Sequence, residues 1–225
     1  MTLTFSIRSL AASLCSAAAL CTMSTAALAG PISVANASFE GPVQSSPGYF
    51  NPNGITSWVT TGSGSSGVWN PTLSPGGFAA YWSTALPDGS QVGFSNGQTI
   101  AQTLGTNYAT GSLYSLTVAF GNRLDGPYIP TGVTMQLFAA TTGSIVATQA
   151  IDVNSITRGT FKDFTLSYTA DGSSDGKAIG ILFTSTGQQL DIDNVRLNNV
   201  PEPGTLILLG SALAGIGMAR RRKQA

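Results

Sequence analysis

Asp191 and Asp193 stand two residues apart in Asp191-Ile192-Asp193-Asn194-Val195-Arg196-Leu197, the arrangement in this chain with most capacity for chemistry. Period-two alternation predicts both carboxylates on the strand face shared with Val195 and Leu197, the face expected to turn inward. A buried carboxylate needs a partner, and where bases are few a hard cation serves. Calcium suits such a site because it takes carboxylate and carbonyl oxygens in flexible geometry. A solvated Asp-rich strand end is the plainer alternative. Asn36-Ala37-Ser38-Phe39-Glu40, near the other end of the same region, supplies a further carboxylate in Glu40. Trp58, Trp69, Tyr81 and Trp82 lie among glycines and prolines in the least regular stretch. Flat rings there can stack on the apolar faces of sugars, and Trp69, Tyr81 and Trp82 are the candidate ligand contacts. Trp58, within Ile55-Thr56-Ser57-Trp58-Val59, reads as a buried strand residue, and Arg123 with Asp125 as a local ion pair.

What is missing narrows the chemistry further. The 225 residues contain no histidine, and the two cysteines, Cys15 and Cys21, fall in an apolar N-terminal run. Ser-His-Asp and Cys-His triads, histidine-ligated zinc and disulfides are therefore excluded from the remainder. The nine acids between Gly30 and Val200 define no motif that would single out a glycosidase pair. Against them stand Arg123, Arg158, Lys162, Lys177 and Arg196, leaving the region mildly acidic and without the basic cluster that nucleic acid requires.

Strands must position these groups. Tyr114, Leu116, Val118 and Phe120 alternate on one face, as do Val133, Met135, Leu137 and Ala139, then Phe164, Leu166 and Tyr168, then Ile179, Ile181 and Phe183. Turn residues separate the runs at Pro87-Asp88-Gly89, Asn96-Gly97, Asp125-Gly126-Pro127 and Asp171-Gly172, while 62–67 reads as a flexible glycine-serine loop. The pattern predicts an all-β domain over 30–199, a single antiparallel β-sandwich of eight to ten strands, with a jelly roll as the expected topology.

The two ends read differently. Residues 1–29 carry Arg8, an apolar run and Ala27-Leu28-Ala29, the pattern of a signal peptide cleaved before Gly30. Residues 200–225 carry Pro201-Glu202-Pro203, an uncharged apolar helix over 204–219 and the basic tail Arg220-Arg221-Arg222-Lys223, which orients the domain outward. This segment closely resembles the PEP-CTERM sorting signal of Gram-negative bacteria that make exopolysaccharide. The resemblance implies processing by an exosortase at the inner membrane, a transient membrane anchor, and release to the cell surface or the medium.

Two further resemblances concern the domain. The segments holding Glu40 and Asp193 look like the opening and closing strands of carbohydrate-binding modules of the galactose-binding-like group, which implies a structural calcium ion on those two residues. The run Leu86-Pro87-Asp88-Gly89 through Gln91-Val92-Gly93-Phe94 and Ile100-Ala101-Gln102 to Gly121-Asn122-Arg123-Leu124-Asp125, with Val68-Trp69-Asn70-Pro71, is similar to the Stig cyclases. These are calcium-dependent enzymes that rearrange indole isoprenoid alkaloids. That likeness implies a proton donor at Asp191 or Asp193; a calcium-bound carboxylate is a poor acid, so Asp191 is the donor if Asp193 is a ligand. Taken together, the sequence reads as an exported, exosortase-processed surface or matrix protein with a non-catalytic, calcium-stabilised sandwich that binds extracellular polysaccharide. A Stig-type cyclase or isomerase is the alternative, and a purely structural matrix protein is the third reading.

Overall fold

The computed structural model describes residues 30–45, 50–126 and 129–200. The expected leader over 1–29 and the Pro201-Glu202-Pro203 segment with the helix expected over 204–219 lie outside the described residues. Among the described residues twelve strands follow in chain order: β1 (Gly30–Ile32), β2 (Phe50–Asn51), β3 (Val59–Thr61), β4 (Ser65–Trp69), β5 (Val92–Asn96), β6 (Thr99–Asn107), β7 (Leu113–Asn122), β8 (Thr131–Ala139), β9 (Ser144–Ala150), β10 (Thr160–Thr169), β11 (Ala178–Thr186) and β12 (Leu190–Val200). The excess over eight to ten comes from β1, β2 and β3, which have two or three residues each and are too short to display alternation. No described helix is long and apolar enough to cross a membrane.

The strands form two antiparallel sheets. One runs β10-β7-β12-β5-β4-β2, with β1 pairing the far end of β12; the other runs β3-β6-β11-β8-β9. The expected inward faces are those observed: Tyr114, Leu116, Val118 and Phe120 of β7, Val133, Met135 and Leu137 of β8, and Ile179, Ile181 and Phe183 of β11 are buried in one cluster. Trp58 joins it as anticipated, stacked on Phe39 with ring centroids 5.4 Å apart. Burying a cluster of this size from both sheets is the main favourable term in folding.

Two local expectations need correction. The stretch 62–67 is not wholly a loop, since β4 begins at Ser65. Gly67 is required there by close approach, because a Cβ on it would lie 1.6 Å from the Asn51 carbonyl oxygen. In β12 the alternation is broken. Asp193 pairs with Ala119 and Arg196 with Thr117, so one extra residue is inserted, and Asn194 takes a left-handed backbone with φ 50°. This bulge reverses the parity. Leu190, Ile192, Val195 and Leu197 all reach the core, whereas Asp191 and Asp193 point to the opposite face of the sheet.

Candidate site on the outer face of the larger sheet

The outer face of the seven-stranded sheet carries a second apolar cluster formed by Trp69, Trp82, Val92 and Phe94, with Phe78, Tyr81, Leu86 and Phe161 packed against it. Cross-strand pairing sets the layout. Phe94, Asp191, Gly121 and Phe161 are successive partners across β5, β12, β7 and β10. Gly121 leaves room for the Trp82 ring, whose nearest atom would be 2.6 Å from a Cβ placed there. The segment 70–82 folds back over this face. The Asn70 side chain caps the turn Pro71–Leu73 by accepting from Thr72 N, Trp69 Nε1 donates to Ser74 Oγ at 2.6 Å, and Tyr81 OH donates to the Pro75 carbonyl at 2.7 Å.

A cavity of about 280 Å³ opens beside this cover, lined by Phe50, Ser65, Trp69, Ser74, Tyr81, Phe94, Asn96, Arg123, Asp125 and Gln189. Two of the three expected ligand-contacting aromatics, Trp69 and Tyr81, line it, with rings edge to face at 88° and centroids 5.0 Å apart. Trp82 does not line it; its ring is buried, 4.3 Å from that of Phe161. Arg123 and Asp125 do pair, as expected, through Nε to Oδ1 at 2.8 Å and Nη2 to Oδ2 at 2.5 Å. The pair is largely withdrawn from solvent. Arg123 is buried, with its guanidinium carbon 4.5 Å from the Trp69 ring centroid and 5.3 Å from that of Tyr81.

Asp191 is wholly buried and does not itself line the cavity; its Oδ1 accepts from Nε2 of cavity-lining Gln189 at 2.7 Å. Burial pushes its carboxyl up to about 7; the Arg123 charge and the Gln189 hydrogen bond oppose the rise and the Asp125 charge adds to it. Asp193 is also buried, and burial pushes it up to about 8 although Asp88 N and Asn194 N donate to it at 3.0 and 2.7 Å. The nearby negative charges of Asp88 and Glu40 act in the same direction as burial.

Glu40 and Asp193 both hold the loop 88–91. Asp193 accepts from Asp88 N, while Glu40 accepts from Ser90 N at 2.8 Å, Gln91 N at 2.7 Å and Ser90 Oγ at 2.9 Å. The carboxylate oxygens of Glu40 and Asp193 suit calcium in kind. Among the described residues, no three His, Cys, Asp or Glu side chains converge as a metal-binding group.

A family model for HpiC1 cyclase matches residues 30–198, three quarters of the chain. The chain belongs to the HpiC1-like cyclase family. A PEP-CTERM protein-sorting motif matches residues 199–223, which marks an exported protein processed by an exosortase. Among solved structures, a cyclase from Fischerella sp. TAU superimposes with TM-score 0.64 and 21% identity, covering 77% of this chain and 98% of that one. A cyclase from the same organism in complex with 4-(1H-indol-3-yl)butan-2-one gives TM-score 0.63 and 22% identity over 76% of this chain and 98% of that one. A carbohydrate-binding module, CBM4, aligns at TM-score 0.43 and 14% identity over 74% of this chain and 99% of that one. No curated protein sequence matches. Of the residues lining the cavity, Phe50, Ser65, Ser74 and Gln189 were not singled out from the sequence; Gln189 had a signal, since period two places it beside Asp191.

Proposed function

We propose that this exported HpiC1-like domain is a small-molecule site of the cyclase type, in which Asp191 supplies and recovers a proton. The observation that carries the reading is a fully buried carboxyl with its pKa raised to about 7, hydrogen-bonded by a side chain that lines an aromatic cavity. A carboxyl kept neutral near neutral pH can protonate an electron-rich alkene or indole carbon, and the carboxylate can take the proton back as the ring closes, so the net change is an isomerisation. The cavity is small, near the lower end for ligand sites, and fits a single bicyclic aromatic with a short side chain. The indolyl ketone bound by the Fischerella cyclase is such a molecule and is the probe of choice. Calorimetric titration of the processed, exported protein with it should give saturable binding that Trp69→Ala weakens at least tenfold; no heat with wild type would sink the reading.

The domain as a whole reads as a β-sandwich of jelly-roll type. Glycan binding is the second reading, favoured by the pairing of the Trp69 and Tyr81 rings with the polar side chains of Ser65, Asn96 and Gln189 along an open cavity. Its test is titration with the host's purified exopolysaccharide, in which saturable heat supports a lectin-like role at the surface. Calcium is proposed as a structural ion bound by Glu40 and Asp193, the two carboxylates that hold the 88–91 loop. It must displace the proton of Asp193, so affinity rises with pH up to about 8. Added calcium should raise Tm at pH 8 more than at pH 6, and Asp193→Asn should remove the shift; equal shifts at both pH values in wild type and variant would locate any binding elsewhere.

A further inference from the structure

The sorting motif begins before the fold ends. The motif matched over 199–223 starts at Asn199, whereas β12 runs on through Val200, so the first two residues of the motif belong to a paired strand. Asn199 is opposite Tyr114 of β7 on one side and Gly30 of β1 on the other, and Val200 is opposite Leu113. Asn198, one residue earlier, lies between Ser115 and Pro31. Pro201-Glu202-Pro203 follows Val200 directly, with no intervening linker.

An enzyme that processes a chain must grip backbone on both sides of the bond it acts on. Backbone already paired in a sheet is open to it only in the fraction of molecules that have opened locally. On the N-terminal side of Pro201 the residues to be gripped are 198–200, and β7 and β1 occupy their edges. The two neighbours differ in how readily they yield. β7 is ten residues long, is paired with β10 along its whole length, and sends Tyr114 and Leu116 into the core. β1 has three residues, of which Pro31 is exposed and has no N–H to give to the ladder. Its anchor is Ile32, opposite Leu197 and part of the core. Gly30 and Pro31 can therefore leave β12 while Ile32 stays. The last residues of β12 are then held by β7 alone, at its partly exposed first residue Leu113 and at Tyr114 and Ser115, and an end held on one side frays more readily than one held on two.

We infer that the end of β12 is part of what the exosortase takes hold of, and that the pairing of β1 with β12 gates processing: the folded domain covers its own sorting junction until Gly30 and Pro31 come away from Asn199 and Asn198. The rate of processing then follows the opening of this ladder. Loosening the junction speeds release, and locking it keeps the protein unprocessed.

The test follows the pulse-labelled full-length chain in cells that carry the exosortase, reading the processed size on a gel and the protein in the medium. A flexible Gly-Ser spacer of about eight residues between Val200 and Pro201 sets the motif clear of the sheet and should speed processing about threefold or more. Pro31→Cys combined with Asn198→Cys should do the reverse, since directly opposite residues, with Cα atoms about 4.5–5.5 Å apart, are within reach of a disulfide. The chain's own cysteines, Cys15 and Cys21, lie outside the domain. The bridged form should be processed about threefold or more slowly than wild type, and reductant should restore the rate. A spacer variant processed at the wild-type rate would overturn the gate, as would a cysteine pair processed equally fast bridged and reduced. Should the bridge not form, the spacer variant decides alone.

Discussion

At the scale of single residues, the outer face of the larger sheet is unusual in burying Asp191 and Asp193 side by side, and the sign of the consequence is fixed by linkage. Both carboxyls have folded-state values, about 7 and about 8, above the unfolded value near 4, so the native state holds protons that the unfolded chain has released. Their contribution to stability is complete below about pH 4 and is lost as pH rises through 7 to 8. Denaturant unfolding should show stability falling as pH rises from about 4 to about 8, and Asp191→Asn should reduce the slope between about 4 and 7. A slope unchanged in Asp191→Asn would assign it to other groups. The two carboxylates were legible in the sequence because acidic residues within a strand pattern are rare. Their surroundings were only partly so: Gln189 stands beside Asp191 by period two, whereas Arg123 and Asp125 reach Asp191 only once β7 and β12 are side by side.

At the scale of elements, the bulge at Asn194 decides which way the two acids face. With unbroken alternation Asp191 and Asp193 would share a face with Val195 and Leu197, as the sequence pattern predicts, and either the acids would enter the core or the aliphatics would leave it. Insertion of one residue with φ 50° lets both sets occupy suitable surroundings. Asparagine tolerates that conformation and a β-branched residue does not, so Asn194→Val should destabilise the domain by about 1–2 kcal/mol while Asn194→Gly stays within about 0.5 kcal/mol of wild type. Equal effects of the two in chemical denaturation would mean that backbone conformation is not what Asn194 supplies. A second close contact positions Glu40. The Phe39 ring packs on Gly93, where a Cβ would lie 2.5 Å from it, so Gly93→Ala should cost about 1–3 kcal/mol and loosen the loop that Glu40 holds. The long strands were readable from period-two runs such as Tyr114 to Phe120, whereas β1, β2, β3 and the bulge were not, since each depends on a partner strand far away in sequence.

At the scale of the whole molecule, the chain joins an HpiC1-like family domain to an exosortase sorting motif, so the domain is exported. Replacing Pro201, Glu202 and Pro203 with alanine should keep the protein in the membrane fraction and out of the medium, which cell fractionation and immunoblotting would detect; unchanged release would show that another segment directs sorting. The domain outside the cell experiences the pH of its surroundings, and an acid titrating about 7 is then sensitive to it. The most direct measurement is the pH titration of ¹³C-labelled aspartate side chains by NMR, with Asp191 assigned by its loss in Asp191→Asn. A midpoint near 7 that moves when the indolyl ketone is added is the expected result, since it reports a neutral acid coupled to the occupied cavity. A midpoint near 4, indifferent to the ketone, would contradict the role given to Asp191.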